Sequence, residues 1–236
     1  NGMRSTLTGQ TYNVNPNEND PKPILRSINQ NQGMEFTWST WLWINSVDYS
    51  DTNPRLLFTK GQSVDTYNSP SSKTQFVMNS PGLYLYDDMM DTGKTNSLSV
   101  VVSFFEKMNI DSEVNKSYDV ITIRNIPMQK WINVIIRVHG RIVDIYINGT
   151  LTKRKEYDVV VKQNYGDIYT GSNKYGADAY ISSLRYFDYA IGNNTIQDIV
   201  YNGPNLTMVD SEMTGTNPPY LAMKWYLNDS NPTITM

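Results

Sequence analysis

Cysteine is missing from this sequence of 236 residues. Its absence rules out disulfides, zinc–thiolate sites and cysteine nucleophiles. Domains adapted to an oxidising secretory route often carry disulfides. The absence of cysteine therefore favours assembly in a reducing compartment, although a core of this size can be stable without cross-links.

Histidine occurs once, as His139. A Ser-His-Asp triad would have to use this residue, and a lone histidine can also act as a general base or a metal ligand. However, His139 precedes Gly140 at the expected tip of a hairpin, where a solvated polar residue is ordinary. We therefore predict no catalytic or metal-binding role for it, and triad hydrolases are excluded with it.

Charge is also scarce, because charged residues make up 18% of the chain and the net charge is −3. The longest basic run, Lys-Arg-Lys at 153–155, is too short for the basic surface that binds a phosphate backbone. No apolar run approaches the roughly eighteen residues of a membrane-spanning helix, and no signal-peptide pattern is present. We therefore expect no nucleic-acid partner and no membrane span. The sequence starts at Asn1 rather than Met, which is compatible with a removed upstream signal or anchor.

Aromatic residues, by contrast, are abundant, with 17 Tyr and 5 Trp. Tyr, Trp, Thr and Val favour strands, and the many Asn and Gly residues favour turns. Strands are predicted at 34–46, 55–61, 75–79, 82–88, 98–106, 118–126, 131–138, 141–147, 150–157, 166–173, 178–191 and 220–228. About a dozen short strands predict an all-β fold, a two-sheet antiparallel β-sandwich of the jelly-roll kind with one short helix.

The hairpins at 131–157 are the most regular part of the pattern. Asn148-Gly149 lies between alternating apolar runs, and an Asn-Gly pair suits a turn in which both positions need positive φ. In the strand before it, Val143, Ile145 and Ile147 form a wholly apolar set that should face the core. A break is predicted at Ser-Pro-Gly, 80–82, and a turn at 107–117.

The helix is predicted at 194–202, with Asn194 as the N-cap and Gln197 as its reciprocal partner. Ile196, Ile199 and Val200 form its apolar stripe. We expect a domain at 34–204, flanked by an N-terminal arm, 1–33, and a C-terminal arm, 205–236. Because residues 220–228 carry apolar side chains that a free tail would not need, they should pack on the sandwich as a strand or an ordered pad, with Trp225 mostly buried.

The order of three segments, 36–45, 126–151 and 166–204, resembles the laminin-G-like, concanavalin A-like jelly-roll family. The resemblance covers roughly residues 34 to 204 and is specific for the fold, whereas the family hosts lectins, adhesion modules and glucanases. The positions that match the family pattern are Trp131, Tyr146, Asn148, Gly149, Gly171, Ile181, Leu184, Arg185, Tyr186 and Gly203.

The segments 123–131 and 184–191 resemble the copies of this domain that large double-stranded DNA viruses encode. The resemblance implies a virion- or surface-associated protein. It places the chain on the virion, on the host cell surface or outside the cell, with the viral factory in the host cytoplasm as the alternative. The cysteine-free, Asn-rich composition fits assembly in such a factory.

Hydrolysis on this fold, as in the glucanases that the chain resembles, requires carboxylates at alternate positions of one strand, about 5 Å apart for a retaining mechanism. None of the six Glu residues lies in that pattern, and Asp111 and Glu113 fall in a predicted turn. Calcium is a separate expectation, because laminin-G-like domains often hold this ion at the rim of the sandwich and oxygen-rich loops suit it. The candidate ligands are Asp87, Asp88 and Asp178.

Aromatic pairs are the remaining candidate ligand-binding residues. Trp41 and Trp43 share one face of a strand, as do Tyr84 and Tyr86. If they are exposed, these rings would stack on sugars. If they are buried, they belong to the core or are covered by the N-terminal arm. Burial is favoured, because the 39% of hydrophobic residues must build a large core.

Taken together, these observations predict a protein without enzymatic activity that binds through its surfaces. One hypothesis is a structural or attachment component of a virus particle, held by contacts to other virion or cell-surface proteins. The alternative is a lectin-like module that binds glycans, and a glucanase is the third possibility.

Overall fold

A computed structural model describes residues 11–13, 34–49, 53–61, 79–87, 95–110, 113–164, 166–170 and 175–206. Twelve strands and one helix lie in these ranges. The strands are β1 (Thr11–Asn13), β2 (Glu35–Ile44), β3 (Arg55–Gly61), β4 (Asn79–Leu85), β5 (Leu98–Ile110), β6 (Glu113–Ile123), β7 (Trp131–His139), β8 (Ile142–Ile147), β9 (Thr150–Glu156), β10 (Val161–Lys162), β11 (Asp167–Thr170) and β12 (Ala179–Phe187), and the helix is α1 (Asn193–Asn202).

The strands form two antiparallel sheets. The first sheet has the order β1-β12-β2-β7-β8-β9; the second has the order β10-β5-β4-β3-β11, with β6 paired to β5. The all-β, two-sheet sandwich with one short helix is therefore confirmed. Within the ranges that the structure describes, no helix has the length and apolarity to cross a bilayer.

The core lies between the sheets and is centred on Trp38. The ring of Trp38 lies 5.6 Å from that of Phe58 on the second sheet and 5.0 Å from that of Tyr186 on β12. Burial raises the pKa of Tyr186 to about 12, and its hydroxyl accepts a hydrogen bond of 2.7 Å from the Gln163 amide. The apolar set of β8 faces this core as predicted, with Val143 and Ile145 fully buried.

Strand β4 runs through the Ser-Pro-Gly segment at which the sequence predicts a break. Proline cannot donate to the ladder, and side chains supply hydrogen bonds at this point instead. The Ser103 hydroxyl donates to the Asn79 carbonyl at 2.6 Å, and the Ser103 amide donates to the Ser80 hydroxyl at 3.3 Å. The predicted turn at 107–117 was also wrong, since β5 and β6 extend through it and leave only two residues between them.

The helix begins one residue before the predicted start. Gly192 is its N-cap, and no side chain caps it, so the predicted Asn194 cap was wrong. Gln197 does not reach back towards the N-terminus; its amide donates to the Gly149 carbonyl at 3.3 Å. The reciprocal capping pair of Asn194 and Gln197 is therefore absent.

The turn between β8 and β9 has the predicted geometry, with φ of 50° at Asn148 and 78° at Gly149. The Asn148 side chain accepts a hydrogen bond of 2.8 Å from the Asn133 amide. A Cβ on Gly149 would lie 3.2 Å from both Gln197 Nε2 and Val200 Cγ2. The turn therefore has little room beneath the helix.

We expect Gly149→Ser to lower the free energy of unfolding by about 1–2 kcal/mol, the cost of a left-handed backbone for a residue with a Cβ. The same substitution at Gly192 is the control, because φ there is −82° and no atom lies within 4 Å. Serine is a preferred N-cap, so Gly192→Ser should change stability by a few tenths of a kcal/mol. Urea unfolding measures both variants, and equal losses would contradict the assigned turn geometry.

Candidate functional site on the outer face of the first sheet

The outer face of the first sheet carries three aromatic side chains in one line across adjacent strands. Tyr180 on β12 pairs with Trp43 on β2, and Trp43 pairs with Trp131 on β7. We call these three residues the aromatic row. The neighbouring line across the same strands consists of Ser182, Trp41 and Asn133.

The indoles are buried although they lie on the outer side of the sheet, with exposed fractions of 7% for Trp41, 4% for Trp43 and 8% for Trp131. The rings of Trp43 and Trp131 lie 6.0 Å apart, and Tyr180 packs against the cluster. This is the arrangement that the burial alternative predicts for Trp41 and Trp43. Their role in ligand binding stays a prediction.

Hydrogen bonds connect the aromatic row to one of the residues predicted to bind calcium. Trp43 Nε1 donates to Asn45 Oδ1 at 2.9 Å, and Asn45 Nδ2 donates to Asp178 Oδ1 at 3.3 Å. The Asp178 amide donates to the Tyr49 hydroxyl at 2.7 Å, and burial raises the pKa of Tyr49. The structure therefore brings together Trp41, Trp43 and Asp178, which no local sequence pattern groups.

The other predicted pair, Tyr84 and Tyr86, lies on the second sheet. Both rings are buried, in a cluster with Leu56 and Val101. The Tyr84 hydroxyl is hydrogen-bonded to Asn79 Nδ2 at 2.5 Å. Because they belong to the second sheet, these tyrosines do not join the aromatic row.

Asp87, the first predicted calcium ligand, is buried in an ion pair. Its carboxylate accepts from Arg124 Nε at 2.6 Å and from Arg124 Nη2 at 2.9 Å, and from the Ser97 hydroxyl at 3.2 Å. Asp88 lies outside the described residues. Across the described part of the chain, no three His, Asp or Glu side chains are grouped as metal ligands, and calcium binding stays a prediction.

Three further carboxylates contact cationic or polar partners. Asp144 binds Arg137 Nη1 at 2.9 Å and Arg154 Nε at 2.6 Å, and the hydrogen bond to Asp144 raises the pKa of Arg154. Asp119 lies 2.7 Å from Lys155 Nζ. At the end of β7, His139 Nε2 lies 2.9 Å from Glu35 Oε1.

Helix α1 covers the centre of the outer face. Ile196 and Ile199 of its predicted stripe pack with Ile135, Tyr146 and Phe187 of the sheet. Gly149 lies against Gln197 and Val200, which places the C-terminal half of the helix beside the β8–β9 turn. Beyond the helix, the Asn205 carbonyl accepts from the Ser182 hydroxyl on β12 at 2.6 Å.

Apolar side chains are exposed on β9, at the end of α1 and just after α1. The exposed fractions are 41% for Leu151 on β9, 87% for Tyr201 at the end of α1 and 43% for Leu206. We call these three residues the exposed band. In the described ranges, one further large hydrophobic side chain is exposed, that of Phe105 on the second sheet. Contiguous exposed apolar patches with a polar rim are typical of interaction surfaces.

The exposure of Tyr201 could have been predicted from the sequence. Tyr201 lies outside the apolar stripe formed by Ile196, Ile199 and Val200, so it should face solvent on a helix that covers a sheet. Trp131 and Tyr180 could be assigned to the outer face by alternation. Their alignment with Trp43 depends on pairing between strands far apart in sequence.

No family model matches the sequence, and neither does any curated protein. Among solved structures, the chain is similar to the botulinum neurotoxin serotype D binding domain, with a TM-score of 0.50 and 16% identity over 77% of this chain and 38% of that one. The serotype G binding domain gives a TM-score of 0.48 and 13% identity, over 72% of this chain and 36% of the other. The serotype D ligand binding domain in complex with N-acetylneuraminic acid gives a TM-score of 0.46 and 16% identity, over 75% of this chain and 39% of that one.

The chain thus spans less than half the length of these structures. At 16% identity, the likeness to the serotype D binding domain concerns the fold alone. It supports the two-sheet sandwich.

Proposed function

We propose that this chain is a non-enzymatic binding domain that holds a protein partner on the outer face of its first sheet, through the exposed band. The observation that carries the proposal is Tyr201, which is 87% exposed at the end of the helix whose Ile196 and Ile199 pack on the sheet. Tyrosine is enriched in interfaces because it offers a large apolar ring and a polar tip. Leu151 on β9 and Leu206 after the helix are also exposed.

The shape of the exposed band favours a protein over a sugar. The band extends from β9 at the sheet edge to the chain beside β12, across strands that lie about 4.8 Å apart. Two of its three members are leucines, which offer no flat ring for a pyranose. A lectin-like module that binds glycans remains the alternative function.

The carboxylates of the described residues support binding rather than hydrolysis. Asp87 and Asp144 are buried and each binds arginine, and Asp119 binds Lys155. A glycosidase needs a carboxylic acid and a carboxylate facing one cleft. These aspartates are instead neutralised by neighbouring cations.

The second part of the proposal concerns the location of the domain. The resemblance of 123–131 and 184–191 to proteins of large double-stranded DNA viruses supports a virion or host-surface protein of the laminin-G-like kind. The partners would then be other virion or cell-surface proteins. Calcium at the rim beside Asp178 belongs to the same proposal.

Binding of the purified chain to intact particles or cells of its source tests the proposal. Tyr201→Ala should weaken binding by about 30-fold, since a central interface tyrosine contributes about 2 kcal/mol. Its stability should stay within about 0.5 kcal/mol of the parent, because the side chain is exposed. Co-sedimentation of fluorescently labelled chain measures the affinity.

Phe105→Ala is the matched control, because Phe105 is 58% exposed and lies on the second sheet. It should leave binding unchanged. Loss of binding in Phe105→Ala but not in Tyr201→Ala would contradict the assigned surface. A glycan-array signal that requires Tyr201 would establish the lectin alternative, and release of reducing sugar would establish the glucanase.

A further inference from the structure

Strand β9 ends the first sheet and presents an exposed edge. It pairs with β8, and among the described residues no strand adjoins its other edge; the strand predicted at 220–228 lies outside them. Six of the seven residues of β9 are exposed, and the other, Lys155, is half-buried. In an antiparallel ladder, alternate residues of an edge strand direct their N–H and C=O groups away from the sheet. Such an edge can accept a further strand from another chain.

The second half of β9 is the regular part of this edge. A bulge interrupts the pairing of β9 with β8 between Ile145 and Tyr146, and a bulge bends the strand that contains it. Beyond the bulge, residues 153–156 pair one to one with β8. An added strand would therefore align with residues 153–156.

The regular part of the edge carries positive charge, although the whole chain has a net charge of −3. We call residues 153–156 the basic edge, because three of the four are cationic. Lys153 is exposed, and Asp144 is shared between Arg137 and Arg154, so that this cluster keeps a positive charge. Lysine on an edge strand opposes pairing with strands that lack acidic residues. The same cations favour a strand that carries carboxylates.

The cations of the basic edge lie on two faces of the sheet. Arg154 Nε contacts Asp144 in the neighbouring strand of the same sheet, whereas Lys155 Nζ lies 2.7 Å from Asp119 in the second sheet. Consecutive side chains of a strand alternate between its faces, so Lys153 lies on the same face as Lys155. An extended peptide also alternates its side chains and offers a carboxylate to each face, which a single anionic sugar ring does not.

We propose that an extended acidic segment of the partner protein adds to the basic edge as a further strand, with two adjacent carboxylates beside Lys153 and Arg154. This inference rests on the proposed function, because Leu151 of the exposed band belongs to the same strand. It adds the chemistry of the partner and the way in which the partner binds. Main-chain hydrogen bonds supply affinity in this mode of recognition, and side-chain contacts supply specificity.

NMR spectra of the ¹⁵N-labelled full chain test the pairing with a synthetic peptide, acetyl-Thr-Val-Glu-Glu-Val-Thr-amide. The peptide should shift the amide resonances of residues 153–156. It should also slow hydrogen exchange about 10-fold at those amides that are directed away from β8, because they become hydrogen-bonded. Unchanged resonances at residues 153–156 would overturn the proposal.

Two matched peptides separate the contribution of charge from that of the backbone. Replacing both Glu residues with Gln should weaken binding about 10-fold, because the charge pairs are lost. The acidic peptide methylated at every amide nitrogen should not bind, because it has no N–H group to donate to the edge. If the methylated peptide binds as well as its parent, the edge recognises charge alone and no strand is added.

Lys153→Glu tests the position of the site, with Lys130→Glu as the matched control. Both lysines are exposed, and Lys130 lies before β7, away from β9. Lys153→Glu should weaken binding of the acidic peptide about 10-fold, because it replaces attraction with repulsion. Lys130→Glu should leave binding unchanged. Equal losses in the two variants would show that the peptide responds to net charge and not to the basic edge.

Co-sedimentation with particles or cells of the source separates this inference from the proposed function. Both Lys153→Glu and Tyr201→Ala should weaken that binding, whereas Tyr201→Ala should leave the acidic peptide bound, because Tyr201 is not on β9. Loss with Tyr201→Ala alone would keep the exposed band and overturn the added strand. Loss with Lys153→Glu alone would keep the added strand and overturn the role of the exposed band.

Two other occupants of the basic edge would overturn the proposal. If raising the protein concentration without peptide shifts the resonances of residues 153–156, a second copy of the chain occupies the edge. If heparin shifts these resonances and the acidic peptide does not, the edge binds a polyanionic glycan. Shifts that require the acidic peptide and do not depend on protein concentration are the expected result.

Discussion

Replacing Asp144 with alanine is expected to lower the free energy of unfolding by about 3 kcal/mol, the lower end of the range for removing one partner of a buried ion pair. Asp144 is 1% exposed and binds two arginines from the strands on either side of it. Arg154 can turn to water, because 55% of its side chain is exposed, whereas Arg137 is only 23% exposed. The loss therefore comes mainly from leaving Arg137 half-buried without its anion.

For a domain of this size, a loss of that magnitude lowers the melting temperature by about 6–12 °C. Asp158→Ala is the control, since Asp158 is exposed and its replacement should change stability by no more than about 0.5 kcal/mol. Calorimetry measures both variants. Equal melting temperatures for the two would show that the Asp144 ion pairs contribute no net stability.

The sequence predicted elements whose signals are local. Alternation along β2 placed Trp38 on one face and Trp41 on the other, because side chains of a strand alternate between its two faces. The Asn148-Gly149 turn was predicted from the φ values that only a few residue types adopt. Neither inference needed knowledge of a distant partner.

Errors arose where a distant residue overrides the local pattern. Pro81 predicts the end of a strand, yet Ser103, more than twenty residues later, bonds to the neighbouring Asn79 and Ser80. The predicted cap at Asn194 was wrong because the helix begins after Gly192, and Gln197 bonds instead to a turn more than forty residues earlier. In both places a side chain supplies a contact that backbone propensity does not contain.

The candidate site was predictable only in part for the same reason. Trp43 was identified from its strand, but its neighbours Trp131 and Tyr180 come from β7 and β12, which are far apart in the chain. Asp87 appeared in an acidic loop, which suggested calcium, whereas its arginine partner lies on the chain that follows β6. Sequence alone therefore supplied the residue types and left the pairings undetermined.

Trp38→Ala should be the most destabilising single substitution considered, with an expected loss of about 3–5 kcal/mol for removing a buried aromatic side chain. Trp38 is 1% exposed and packs on both Phe58 and Tyr186, so the cavity opens between the two sheets. Its Nε1 has no hydrogen-bond partner. Trp38→Phe removes the same donor but keeps a phenyl ring, and we expect it to lose only about 1–2 kcal/mol, because the cavity that it leaves is smaller. Urea unfolding measures both variants, and equal losses would mean that a phenyl ring at position 38 does not fill the space beside Phe58 and Tyr186.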